Sequence, residues 1–263
     1  MTPTGDVGAL ALVLGLVFVA TVAITGATLA GWAWRRMTRR ADLLLEPALA
    51  LVGLIGTAAT LTFGLLLVWR VPAGTWGEGT SLADPLFVAS LLGTVGGHLA
   101  VLAWARAVGA PVALTRATPR WMLVGVCAGG CALLLSAAWT ETARMFGRPL
   151  ADQELVSSLL DAEPGAARVV ALLFVVAAAP VLEELVFRGY LQTTLSARFG
   201  AVVGVLVPGF LFGLFHLADP AVVPALAGVG ILLGWVRHAS GSVYPAMVGH
   251  LVNNVAAMAL ALA

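Results

Sequence analysis

The sequence predicts an all-α fold, a polytopic membrane protein of about eight transmembrane helices, and three observations support it. Of 263 residues, 60% are hydrophobic and 10% charged, where a soluble domain has about 45–50% and about 25%. Mean hydropathy is +1.01. The few charges bracket apolar runs long enough to cross a bilayer, which takes roughly 20 residues of helix. A water-soluble globule, a disordered chain and a collagen-like chain are excluded. A net charge of +1 gives no case for a nucleic-acid partner, so the expected partner is the lipid bilayer.

The spans follow from the gaps between charges. Asp6 to Arg35 encloses 28 uncharged residues, Glu46 to Arg70 23, Asp84 to Arg106 21 and Arg120 to Glu141 20. Arg168 to Glu183 encloses only 14, so the fifth span runs straight into two carboxylates. Three more gaps follow: 20 from Arg198 to Asp219, 17 from Asp219 to Arg237 and 26 from Arg237 to the end. The first span is not expected to be a cleaved signal peptide, because its basic residues follow the apolar run. Placing Arg35, Arg36, Arg39 and Arg40 in the cytoplasm puts ten of the fourteen basic residues inside by alternation, as the positive-inside rule requires. Both termini are then external. All fourteen are arginine, which points to a GC-rich bacterial genome and hence to an inner-membrane location.

The organisation reads as a four-span scaffold over 1–140, a polar connection over 141–168 and a motif-bearing membrane core over 169–263. In the connection, Leu155, Leu159 and Leu160 have the spacing of an amphipathic helix lying on the membrane surface. Gly93/Gly97, Gly125/Gly129, Gly209/Gly213 and Gly230/Gly234 are small-xxx-small pairs that let helices approach closely. Cys127 and Cys131, inside one apolar run, read as small packing residues and not as a disulfide framework. His98 reads as a packed, hydrogen-bonded histidine, and Asp219-Pro220 as a helix terminus and turn. His238 reads as a solvated residue in a short basic loop with Arg237. Asn253, off the His250 face, is expected to cap or bond a neighbouring helix.

Ionisable groups inside membrane spans cost about 2.5–3.5 kcal/mol each and are functional candidates by default. They concentrate in the last 85 residues. The fifth span carries Glu183, Glu184 and Arg188; Glu184 and Arg188 are i,i+4 and can pair, whereas Glu183 is rotated by about 100°. One acid is held and one is left available. Pro180 loosens the helix a turn before them. The sixth span ends at Phe212-Gly-Leu-Phe-His216, and the eighth places His250 and Asn254 on one face. If spans five and six form a hairpin turning at Phe199-Gly200, Glu183 and His216 each lie 16 residues from the turn and share one height.

Glu-Glu-x-x-x-Arg, Phe-x-x-x-His and His-x-x-x-Asn, in this order on separate membrane helices, resemble the CPBP family of CAAX proteases and bacteriocin-processing enzymes. The segment Gly241-Ser242-Val243-Tyr244-Pro245 is similar too. The resemblance covers roughly residues 150–260, and no motif position departs from it; spans one to four carry no such motif. It implies an intramembrane active site in the C-terminal half, and type II CAAX-protease-like endoproteolysis of a membrane-associated protein or peptide. By motif position, Glu183 is then the general base that activates a water, helped by His216. His250 and Asn254 stabilise the oxyanion, Arg188 holds Glu184, and Phe212 shapes the cavity. Glu183, His216 and His250 are ligand types that suit zinc or another divalent metal. There is no His-Glu-x-x-His, however, and asparagine is a poor zinc ligand, so a metal-free, glutamate-activated water is the expectation.

Two other classes compete with this reading. An ion-coupled transporter also uses intramembrane carboxylates and histidines, but expects matching halves, and here the chemistry lies in one half. A non-catalytic binding or immunity protein would keep the fold without turnover. Candidate substrates are peptide precursors, bacteriocin leaders or C-terminal membrane-sorting tails.

Overall fold

A computed structural model describes residues 19–31, 33–35, 50, 53, 55–58, 61–62, 85–147, 165–217 and 219–262. Among these the chain is all helix and connection, with no strand, as an apolar chain in lipid requires: backbone groups without water must bond within their own segment. The helices are α1 (Pro85–Val108), α2 (Pro119–Met145), α3 (Ala166–Leu173), α4 (Ala179–Glu184), α5 (Gln192–Leu214), α6 (Val223–Ser240) and α7 (Tyr244–Ala261). Two π-helical segments, Phe174–Ala178 and Leu185–Leu191, flank α4 and join α3 to α5 without a break.

Four described stretches are long and apolar enough to cross a membrane: Val88–Val108, Pro119–Met145, Arg168–Leu214 and Val223–Ser240. The expected count of about eight is not confirmed among the described residues. The first two expected spans fall only partly within the described residues, and the amphipathic segment at Leu155–Leu160 lies outside them. Spans five and six are one 47-residue stretch. The eighth, α7, carries His250, Asn253 and Asn254, which lower its apolar character.

That 47-residue stretch is a hairpin. Gly200 has φ 82° and ψ 171°, outside the helical region, and divides α5 into two arms. A positive φ of this kind is open to glycine and strained for other residues. The arms lie against each other from there: a Cβ on Gly204 would meet the backbone of Ser196, each four residues from the turn. The turn expected at Phe199-Gly200 is therefore where the chain reverses. The other boundaries follow ordinary rules: Pro119, Pro224 and Pro245 open α2, α6 and α7, and Gly241 (φ 69°) closes α6.

The chain divides into two compact units, residues 1–110 with 158–174 and residues 111–157 with 175–263. In the first, α1 packs through glycines. A Cβ on Gly93 would clash with Thr62 and Ala58, and one on Gly96 with Leu61 and Val19. Val19, Ala23, Leu61, Ala89, Leu92 and Ala100 form its core. His98 is buried, with Nδ1 against the Thr94 carbonyl at 2.8 Å, as a packed histidine should be.

In the second unit the expected glycine pairs are the helix contacts. Gly125 and Gly129 of α2 lie on Pro245 and Gly249 of α7, and Gly209 and Gly213 of α5 lie on Gly230 and Ala227 of α6. Close approach at glycine is what lets polar side chains reach backbone across helices. The motif-free helix α2 thus packs directly on the helix that carries His250. Cys127 and Cys131 are a correction: both are exposed on α2. They lie on the face turned away from Gly125 and Gly129 and so are not core packing residues. Asp219-Pro220 is a turn, with Asp219 Oδ1 accepting the Ala221 N–H at 3.3 Å.

Residues 111–118 run outside any helix and tie two parts of this unit together. Ala113 N–H donates to the Gly189 carbonyl at 3.2 Å, and the Ala113 carbonyl accepts from Val243 N–H at 3.0 Å. Ser242 Oγ donates to the Thr115 carbonyl, and Thr115 Oγ1 to the Gly241 carbonyl, both at 2.6 Å. The Gly241–Val243 segment that precedes α7 is therefore held by hydrogen bonds on both sides.

Candidate active site

The site is built on the turn between two π segments. A π turn adds one residue to a helical turn and is commonly found at functional sites. Here it brackets Glu183 and Glu184 and widens the helix that presents them. Pro180, expected to loosen this helix, lies two residues after the Phe174–Ala178 segment.

The two acids part as their 100° offset requires. Glu184 is fully buried; Glu183 keeps 19% of its side chain exposed. Glu184 Oε1 lies 3.0 Å from Arg188 Nη1 and 3.0 Å from His250 Nδ1. Arg188, also fully buried, donates through Nη2 to the Gly230 carbonyl at 3.1 Å and sets its guanidinium carbon 4.6 Å from the centre of the Phe212 ring. A buried charge needs this number of partners to be tolerated. Glu183 Oε2 stands 3.7 Å from His250 Nε2, so one imidazole lies between both carboxylates.

Phe212 connects the remaining members. Its ring is 5.5 Å from that of His250, 5.2 Å from that of His216 and 5.5 Å from that of Phe187. Phe187 also meets Phe215 at 5.3 Å, which pairs residues on the two arms of the hairpin. His216 Nδ1 faces the Phe212 carbonyl at 2.9 Å. A carbonyl only accepts, so this nitrogen carries a proton, and in the neutral ring Nε2 is an acceptor. His250, whose Nδ1 faces a carboxylate, also has that nitrogen protonated.

The structure therefore brings Glu183, Glu184, Arg188, Phe212 and His250 into one cluster, with His216 joined to it through Phe212. No hydrogen bond or ion pair joins Glu183 to His216 among the described residues. Asn254, one turn beyond His250, directs Nδ2 to the Val175 carbonyl at 3.0 Å. Asn253, expected to bond a neighbouring helix, instead donates to Asn254 Oδ1 at 3.0 Å.

Three polar residues of this region escaped the sequence reading. Gln192 is buried and donates to the Gly234 carbonyl at 2.7 Å. With Arg188 on Gly230 it forms two rungs, four residues apart on both helices, that join the hairpin to α6. The i,i+4 spacing of Arg188 and Gln192 was the available signal. Arg237, read as part of a loop, lies in the last turn of α6 and is 8% exposed. It donates to Thr193 Oγ1, and Thr193 in turn to the Gly189 carbonyl. The loop begins only at Gly241. His238 is exposed, with its ring 5.6 Å from that of Trp235.

Glu183 and His250 face each other, but among the described residues no three His, Cys, Asp or Glu side chains are arranged to hold a metal ion. The Glu184 carboxylate is already engaged by Arg188 and His250.

The described chain thus has four helices long and apolar enough to cross a bilayer, and its second unit carries an acid–histidine cluster. Residues 165–256 match the model of the family described as type II CAAX prenyl endopeptidase Rce1-like. The chain is an integral membrane protein, and its residues 165–256 are similar to this protease family, in agreement with the CPBP resemblance of its motifs. Comparison with curated proteins and with solved structures found no match.

Proposed function

We propose that the protein is an intramembrane endopeptidase of the bacterial inner membrane that hydrolyses a peptide bond of a membrane-associated protein or peptide with a water activated by Glu183. The observation that carries this reading is the placement of His250 between a buried carboxylate paired with Arg188 and a second, partly exposed carboxylate 3.7 Å away. Charge counting gives it chemical content. Two carboxylates and one guanidinium leave one negative charge, which the apolar surroundings disfavour. One proton held between Glu183 and His250 cancels it.

With that proton on His250, Glu183 is a free carboxylate and His250 Nε2 is a donor beside it. Water attacks the scissile carbonyl carbon and its proton passes to Glu183, while His216 Nε2 accepts the second water hydrogen bond and orients the nucleophile. The carbonyl oxygen becomes an oxyanion, and His250 Nε2–H, with Asn254 as its expected companion, stabilises it. Collapse breaks the C–N bond, and the amine leaves with the proton held by Glu183. Arg188 keeps Glu184 ionised and thereby orients His250; Phe212 walls the cluster from lipid. The reaction needs no metal.

The test compares protein N- and C-termini by mass spectrometry between cells carrying wild type and Glu183→Gln at matched membrane levels. Termini that depend on Glu183 establish proteolysis and identify the substrate. Identical termini, with both proteins folded, would overturn the reading in favour of a non-catalytic binding or immunity role.

A further inference from the structure

Ala113 is bonded both to the helix that carries the two acids and to the segment that leads into His250. Its N–H donates to the Gly189 carbonyl at 3.2 Å, five residues after Glu184, and its carbonyl accepts from Val243 N–H at 3.0 Å, seven residues before His250. The chain bends sharply here, with Leu114 N–H donating to the Val112 carbonyl at 2.7 Å. This γ-turn leaves both polar groups of Ala113 for partners outside the segment. Glycine at 189 admits the segment, since a Cβ there would lie 2.8 Å from Val112 Cγ1. At about 1.5 Å per residue, the bridge lies roughly 8 Å from Glu184 along one helix and roughly 10 Å from His250 along the other. Glu184 meets His250, and Gly189 meets Val243 through Ala113, in opposite chain order, so both offsets fall on one side of the Glu184–His250 bond.

Two side chains lock this bridge. Ser242 is fully buried; its Oγ donates to the Thr115 carbonyl at 2.6 Å and accepts from the N–H of Tyr244, the first residue of α7, at 3.3 Å. Thr115 Oγ1 answers with a bond to the Gly241 carbonyl at 2.6 Å. We propose that residues 111–116 are a clamp on the active site, with Thr115 and Ser242 as positioning residues that hold His250 against Glu183 and Glu184. The Glu184–His250 bond fixes one point of α7 against the acid-bearing helix. The clamp fixes a second, and two points set both height and tilt. The clamp precedes the residues 165–256 matched to the protease family, so the motif-free part of the chain helps to build the site. The inference rests on the proposed proteolytic reading only for the cleavage part of its test.

The chain has four histidines, few enough for ¹⁵N-histidine labelling of the detergent-purified protein to follow His250 by NMR, assigned by its loss in His250→Gln. Thr115 is exposed; Thr115→Val keeps its shape and removes the hydroxyl, whereas Thr115→Ser keeps the hydroxyl. Thr115→Val and Ser242→Ala are expected to move the His250 Nδ1 signal, which reports the bond to Glu184. The signals of His98 and His238 should stay in place, and Thr115→Ser should match wild type throughout. A His250 signal unmoved by Thr115→Val would overturn the proposal, and this variant decides alone should Ser242→Ala not fold.

The second readout is the set of Glu183-dependent termini in cells at matched membrane levels. Thr115→Val should lower them by about tenfold or more, as misplacement of reacting groups does, and Thr115→Ser should retain them. Lower cleavage with an unmoved His250 signal, or a moved signal with full cleavage, would overturn the positioning role. If wild type produces no Glu183-dependent termini, the proteolytic reading fails and the histidine signals still decide whether the clamp sets His250.

Discussion

Glu184 and His250, 66 residues apart in the chain, share a buried hydrogen bond of 3.0 Å between Oε1 and Nδ1. This contact joins the hairpin to α7, and Arg188 closes it from the other side. Removing the Glu184 charge therefore leaves a buried guanidinium without its counter-ion. Breaking a buried pair in this way costs about 3–5 kcal/mol. Glu184→Gln is expected to fall in that range by denaturant titration in detergent. Replacing both partners with apolar residues, Glu184→Leu with Arg188→Met, is expected to cost less than either single change, because no charge is left behind.

Glu183→Gln should behave in the opposite way. Its side chain makes no hydrogen bond among the described residues and reaches His250 only at 3.7 Å. Stability should stay within about 0.5 kcal/mol of wild type, as for other substitutions that break no buried contact. Cleavage should fall by about 10²–10⁴-fold, the usual contribution of general acid–base catalysis. The pair of variants separates the two roles: a loss of cleavage from Glu183→Gln that tracked a loss of folded protein would contradict the division.

The chemistry proposed here runs without a metal, so chelation is expected to leave it intact. Purified protein dialysed against EDTA and then 1,10-phenanthroline should keep its cleavage rate within about twofold, and metal analysis should find less than about 0.1 equivalent of zinc. A closed three-ligand site that needs zinc would instead lose activity on chelation and regain it on adding the ion.

Much of the site was readable because membrane burial makes polar residues informative. Glu183, Glu184, Arg188, His216 and His250 each interrupt an apolar span, and their spacing on helices sets which can meet. The turn at Gly200 and the contacts of Gly125, Gly129, Gly209 and Gly230 were equally accessible, since backbone approach needs the missing side chain. Three things were not. The π segments depend on which carbonyl finds a donor, and residue spacing assumes a regular helix. Arg237 looks like a loop residue until α6 is seen to run on to Ser240, and Gln192 carries no charge to mark it. The bond from Asn254 to the Val175 carbonyl depends on how two helices meet, which spacing within one helix does not give.

The contact between α2 and α7 yields a test that separates packing from chemistry. A Cβ on Gly129 would lie 2.5 Å from the Gly249 carbonyl oxygen and 2.8 Å from Val252 Cβ, whereas one on the adjacent Gly130 would meet nothing within 4 Å. Gly129→Ala must push α7 away, and overpacking of this kind costs about 1–3 kcal/mol. The displaced helix carries His250 one residue beyond Gly249, so cleavage should fall together with stability. Gly130→Ala removes backbone freedom without a clash and should leave the protein as stable as wild type or more so, by up to about 0.8–1 kcal/mol from helix propensity. Its cleavage should be unchanged. Thermal melts and cleavage of the two variants side by side check this, and equal behaviour of neighbouring glycines would show that α2 does not set the position of His250.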